Sequence, residues 1–131
     1  MPNEEIVRVL IADDNRLFSS ALETLLDAEE MIEVVGSASD GGEAVRLAAE
    51  LEPDVILMDL SMPVVDGFDA TRQIREERPD VSVLVVTGSR EHIDVERAQA
   101  LGAAGYVTKD RIGAELVDSI ISLGGGRDSL S

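Results

Sequence analysis

The amino-acid sequence predicts an α/β fold, an open three-layer (βα)5 sandwich around a parallel sheet of strand order 2-1-3-4-5. Two observations predict it. First, short runs rich in Val and Ile alternate five times with segments of helical periodicity; continuous apolar runs of that length read as strands buried on both faces. Second, four of those runs end in a residue suited to phosphate chemistry. Ile6–Ala12 runs into Asp13 and Asp14, Val55–Met58 into Asp59, Val83–Val86 into Thr87, and Tyr106–Thr108 into Lys109, the only lysine of the chain. Parallel strands put their carboxyl ends along one edge, where open α/β sheets bind ligands. Right-handed crossovers leave few topologies. In the order 2-1-3-4-5 the four strands with reactive ends are contiguous, and the second strand lies at an edge.

Each element has its own warrant. Strand β1 is predicted over residues 6–12, and helix α1 follows over about 16–28. Its face carries Phe18, Ala21, Leu22, Leu25 and Leu26, a helical stripe, and Asp14 or Asn15 can cap it. Strand β2 covers about 33–38. Asp40 then precedes α2, which turns Ala44, Val45, Leu47, Ala48 and Leu51 inward and is broken by Pro53 and Asp54. Strand β3 is 55–58, followed by a loop in which Pro63 and Gly67 form turns. Helix α3, about 68–77, stops before Pro79 because the residue before proline disfavours the helical region. Strand β4 is 82–87. Helix α4, about 91–101, has a thin apolar face of Ile93, Val95, Ala98 and Leu101, with Gly102 as its C-cap. Strand β5 is about 105–108. Helix α5, about 112–123, buries Leu116, Val117, Ile120 and Ile121, and Gly124–Gly126 close it.

Composition narrows the function. A chain of 131 residues is one domain with a proper core. Aromatic residues make up only 2%, so that core is aliphatic. The chain has no cysteine, which rules out disulfides and thiolate metal sites and fits a cytoplasmic setting. No run reaches the length of a membrane span, and the first five residues show no signal peptide. The formal net charge of −16 repels nucleic acid and anionic membrane, so neither is expected as a partner of this chain itself.

The converging side chains define a chemistry. Two carboxylates about 4 Å apart repel by roughly 4 kcal/mol at an effective dielectric near 20, so Asp13, Asp14 and Asp59 call for a cation. An all-oxygen donor set suits a hard ion, Mg²⁺ with Mn²⁺ as a substitute. The expected ligands are the carboxylates of Asp14 and Asp59 and the backbone carbonyl of Ser61, with Asp13 acting directly or through a water. A carboxylate can form an aspartyl phosphate, and Asp59, at the tip of the central strand, is the expected nucleophile. Lys109 supplies a point charge for one phosphoryl oxygen and Thr87 a hydroxyl for another.

Four motifs in order, V-L-I-A-D-D, M-D-L-S-M-P-V-V-D-G, V-V-T-G-S and G-A-A-G-Y-V-T-K-D, resemble the receiver domain of bacterial two-component response regulators from end to end. The runs I-E-V-V-G-S-A-S-D-G-G-E-A-V and A-L-G-A-A-G-Y-V-T-K-D are similar to the NarL/FixJ-like subgroup. The resemblance implies a flavodoxin-like fold, with a phosphoacceptor receiver domain over residues 1–126 and a tail or linker stub over 127–131. It implies that Asp59 takes a phosphoryl group from a sensor histidine kinase's phosphohistidine, with Mg²⁺. It implies that Thr87 and Tyr106 switch the face formed by α4, β5 and α5, so that phosphorylation controls an output and favours a homodimer. The subgroup's output is transcription through a helix-turn-helix domain that these 131 residues do not contain. Phosphotransfer to itself and slow autodephosphorylation are the only reactions implied, so the chain is not read as a metabolic enzyme.

Two further readings stand beside this one. An aspartyl-nucleophile phosphohydrolase needs the same cation, but such enzymes resemble D-x-D-x-T, whereas Asp59 is followed by Leu60 and Ser61. A degenerate receiver that only binds partners would lack the full set of acids. One departure from the wider family is Lys109-Asp110 where many receivers carry a cis Lys-Pro; a cis bond without proline costs about 3 kcal/mol.

Overall fold

The structure, a computed structural model, describes residues 6–60, 62, 65–88 and 92–125. Strands β1 (Val7–Ala12), β2 (Ile32–Ala38), β3 (Val55–Met58), β4 (Ser82–Thr87) and β5 (Gly105–Thr108) form one parallel sheet of order β2-β1-β3-β4-β5. The helices are α1 (Arg16–Asp27), α2 (Gly41–Leu51), α3 (Gly67–Glu77), α4 (His92–Ala100) and α5 (Ile112–Gly125). This is the flavodoxin-like (βα)5 sandwich that the alternating runs predict.

The pleat sends successive side chains to opposite faces, which divides the core. On one face Val7, Val9 and Ile11 pack with Val55, Leu57, Leu84 and Val86 under Leu22 and Leu26 of α1 and Leu116 and Ile120 of α5. On the other, Leu10, Ala12, Ile56, Met58 and Val83 pack under Ala44 and Ala48 of α2 and Ala70 and Ile74 of α3. A smaller cluster of Leu60, Phe68, Val85 and Ala98 holds α4, with Tyr106 against its edge. Ala98 is the one fully buried residue of α4 among those described, in keeping with its thin apolar face. The guanidinium of Arg97, 4.0 Å from the Phe68 ring centroid, adds a cation–π contact between α4 and α3.

The helices on the ligand edge begin with side-chain caps. Asn15 Oδ1 accepts from the Phe18 N–H at 3.0 Å, Asp40 Oδ1 from Glu43 at 2.8 Å and Asp66 Oδ1 from Asp69 at 3.0 Å. Of the two candidates for α1, Asn15 is the cap. Asp13 Oδ1 is engaged by the N–H of Asn15 itself, at 2.8 Å. At the far end of α4, Gly102 takes φ 110°, the left-handed geometry of a glycine C-cap.

Four details differ from the periodicity. Ala21 and Leu25, predicted to face inward, are exposed, and Ser19 is buried in their place. Ser19 can enter because its hydroxyl donates to the Asn15 carbonyl at 3.1 Å, one turn back. Ile121 is 36% exposed while Ile120 is fully buried. Helix α5 continues through Gly124 to Gly125, and a 3-10 turn over Lys109–Arg111 precedes it. No peptide bond among the described residues is cis.

The register of α5 gives a direct test. Ile120→Ala is expected to cost about 2–5 kcal/mol in urea denaturation, the cost of a core cavity. Ile121→Ala should stay within about 1 kcal/mol. Equal losses at the two positions would show that α5 is rotated.

Candidate functional site

Strand register brings the acids together. Ala12 of β1 lies beside Met58 of β3, so the next residues, Asp13 and Asp59, leave adjacent strands at the same level. Both are still held by the ladder: the Asp13 N–H donates to the Ala38 carbonyl at 3.0 Å and the Asp59 N–H to the Ala12 carbonyl at 2.9 Å. Asp13 and Asp59 are buried, at 4% and 6% exposure, while Asp14 is exposed. Carboxylate oxygens of Asp13, Asp14 and Asp59 lie within 4.8 Å of one another.

Lys109 follows β5 directly and reaches across to them. Its Nζ is 2.9 Å from Asp13 Oδ2 and 3.9 Å from Asp59 Oδ2. The Phe18 ring centroid is 4.1 Å from the same nitrogen. The ammonium is the partner of Asp13 Oδ2, and among the described residues that oxygen has no further hydrogen-bond donor. Three carboxylates sharing one ammonium leave net negative charge in a partly buried notch, and their all-oxygen donor set suits a hard metal ion.

The remaining predicted residues fall into three groups. Thr87 ends β4 at 1% exposure, in register with Thr108, one residue before Lys109. Tyr106 pairs with Val85 on the same face of the sheet and lines a shallow groove with Val95, Thr108, Asp110 and Arg111. Ser61, whose carbonyl is the expected third ligand, and Pro63 lie outside the described residues.

Two glycines matter more than their turn propensity suggests. Gly67 is the first residue of α3, and its N–H donates to the Leu60 carbonyl at 3.1 Å. A Cβ there would sit 2.1 Å from the Asp59 carbonyl oxygen and 2.6 Å from Leu60 Cα. The N–H of Gly41, at the start of α2, donates to the Val65 carbonyl at 2.9 Å, and a Cβ on Gly41 would meet that oxygen at 2.0 Å. Both ends of the acceptor loop are thus seated on backbone where only glycine fits. Gly67 serves by its missing side chain and not by a left-handed turn. The sequence carries no signal for this, because the clash lies between segments distant in the chain. Phe18 is the other residue whose place at the site goes beyond its sequence reading, which made it only part of the inward stripe of α1.

A doubly wound sheet that gathers buried carboxylates and an ammonium at its strand ends, with Asp13-Asp14 where dinucleotide binders need a glycine-rich turn, defines the receiver class of signalling protein. The chain belongs to the response regulator receiver domain family, whose family model matches residues 9–121. It is 42% identical over 125 residues to the transcriptional regulatory protein LiaR of Bacillus subtilis, covering 95% of this chain and 59% of LiaR. It is 38% identical over 126 residues to the response regulator GacA of Pseudomonas aeruginosa, again covering 59% of the relative. The chain therefore spans somewhat more than half the length of these curated relatives. Among solved structures, the signal receiver domain of the response regulator NarL from Mycobacterium tuberculosis superposes with a TM-score of 0.88 at 34% identity, covering 93% of this chain and 98% of that one. These relatives belong with the NarL/FixJ-like subgroup that the sequence motifs resemble. The isolated receiver domain of RcsB from Salmonella enterica, determined with the phosphomimetic BeF3⁻, gives 0.84 at 26% identity over 92% of this chain and 90% of that one.

Proposed function

We propose that this chain is a phosphorylation-operated switch whose acceptor is Asp59. A carboxylate oxygen of Asp59 attacks the phosphorus of a sensor histidine kinase's phosphohistidine; the new P–O bond forms as the P–N bond breaks, and the imidazole leaves with the electron pair. Asp14, Asp59 and Asp13, directly or through a water, would hold Mg²⁺ together with the Ser61 carbonyl. When bound, that ion neutralises phosphoryl charge and orients the donor. Lys109 stabilises a second phosphoryl oxygen, and Thr87 offers its hydroxyl to a third. The observation that carries this reading is the Lys109 ammonium at 2.9 Å from the buried Asp13 and 3.9 Å from the buried Asp59, within a cluster of three carboxylates. The RcsB receiver, solved with a phosphoryl mimic, supports the same chemistry here.

The aspartyl phosphate adds charge and acceptor oxygens. Thr87 moves toward it, and Tyr106 turns into the space left behind. Helix α4, held among the described residues through Ala98 and the Arg97–Phe68 contact, is the two-state element. The face of α4, β5 and α5 then engages a partner, a second copy included. Relatives that are transcriptional regulators favour transcription as the output, in the cytoplasm. Residues 1–126 act as the receiver and 127–131 as a tail or linker stub. Beryllofluoride with Mg²⁺ should shift the backbone amide resonances of Thr87 and Tyr106. Unchanged amides at both positions would defeat the reading.

A further inference from the structure

We infer that Phe18 is a positioning residue for Lys109, its ring holding the ammonium against the acceptor carboxylates; this rests on the phosphoacceptor reading of Asp59. A lysine head group on a four-carbon stem has many rotamers, and Lys109 is 27% exposed, so nothing in its own stem fixes the charge over the site. The structure places two partners against it. The carboxylates stand 2.9 Å and 3.9 Å away, and the face of Phe18 lies over it with its centroid at 4.1 Å. A ring face carries negative potential and attracts a cation.

The ring is itself tied to the acid. The Phe18 N–H is held by Asn15 Oδ1 and the Asn15 N–H by Asp13 Oδ1. One cap therefore fixes ring and carboxylate in a common frame, and the Phe18 side chain packs on the core beneath α1. An ammonium held by both meets the incoming phosphoryl group already in place, with less water around it. Leucine at this position would keep the apolar wall and lose the ring's attraction. Tyrosine would keep both.

The lone lysine makes the test clean, because lysine-selective isotope labelling gives one side-chain set. In the unmodified chain, the ε-methylene protons of Lys109 should lie upfield through the ring current of Phe18. Phe18→Tyr should retain that displacement and Phe18→Leu should lose it. With acetyl phosphate and Mg²⁺, an Asp59 oxygen bonds to phosphorus as the P–O bond to the acyl group breaks and acetate leaves with the electron pair. That uptake should slow roughly five-fold in Phe18→Leu, matching a cation–π contact of about 1 kcal/mol, and recover in Phe18→Tyr. In a Lys109→Ala background the same Phe18→Leu change should have no further effect, since the cycle isolates the coupling.

Uptake at the unmodified rate in Phe18→Leu would overturn the inference, as would an equal five-fold loss without the lysine. If the unmodified chain takes up no phosphoryl group, the phosphoacceptor reading fails. The ring-current displacement then decides whether Phe18 holds Lys109: its absence overturns the contact, and its presence supports it.

Discussion

Asp59→Asn is expected to abolish phosphoryl uptake while leaving the fold intact. The carboxamide has nearly the shape of the carboxylate but no anionic oxygen to attack phosphorus. The Asp59 backbone stays anchored by its N–H on the Ala12 carbonyl, whatever the side chain. Lys109 keeps its closer pairing with Asp13 at 2.9 Å, so the site does not lose its internal counter-charge. Incubation with acetyl phosphate and Mg²⁺ followed by intact-mass measurement reads the result. The unmodified chain should gain one phosphoryl group. The variant's rate should fall by a thousandfold or more, equivalent to a barrier increase of about 4 kcal/mol. Circular dichroism should match. Uptake by the variant at the unmodified rate would place the acceptor on another residue.

Gly67→Ala is expected to be strongly damaging for the addition of a single methyl group. The new Cβ would meet the Asp59 carbonyl oxygen at 2.1 Å and Leu60 Cα at 2.6 Å. These are backbone atoms, already held by the Gly67-to-Leu60 and Asp59-to-Ala12 hydrogen bonds, and cannot swing aside as a side chain would. Helix α3 or the acceptor loop must shift, at a cost of roughly 3 kcal/mol. For a domain of this size that corresponds to a fall in Tm of roughly 10 °C. Gly113→Ala, in α5, is the control. No atom of the described residues lies within 4 Å of its added Cβ, so calorimetry should show a gain of about 0.4–1 kcal/mol from the stiffer unfolded chain. Equal behaviour of the two variants would show that the loop has room.

The legible parts of this molecule are those encoded by adjacent residues. Strand β3, β4 and β5 boundaries agree with the apolar runs, because a strand buried on both faces leaves little choice of residue. The convergence of Asp13, Asp14, Asp59 and Lys109 was also readable, since a parallel sheet fixes where strand ends go. Helix facing was less legible. Ala21 and Leu25 satisfy the apolar period but stay exposed, while Ser19 enters the core by bonding its own backbone. Periodicity alone does not separate an apolar residue at the edge of a stripe from one at its centre. The glycine seats at Gly41 and Gly67 and the Phe18–Lys109 contact join segments far apart in the chain, and no local pattern announces such meetings.

The Gly41 N–H bonded to the Val65 carbonyl has a consequence for redesign. It fastens the start of the second helix to the stretch that follows the acceptor, although that helix supplies none of the reacting groups. Transplanting the acceptor segment into another sheet would therefore require carrying the beginning of this upstream helix with it. The smallest portable unit of the chemistry is wider than the chemistry itself.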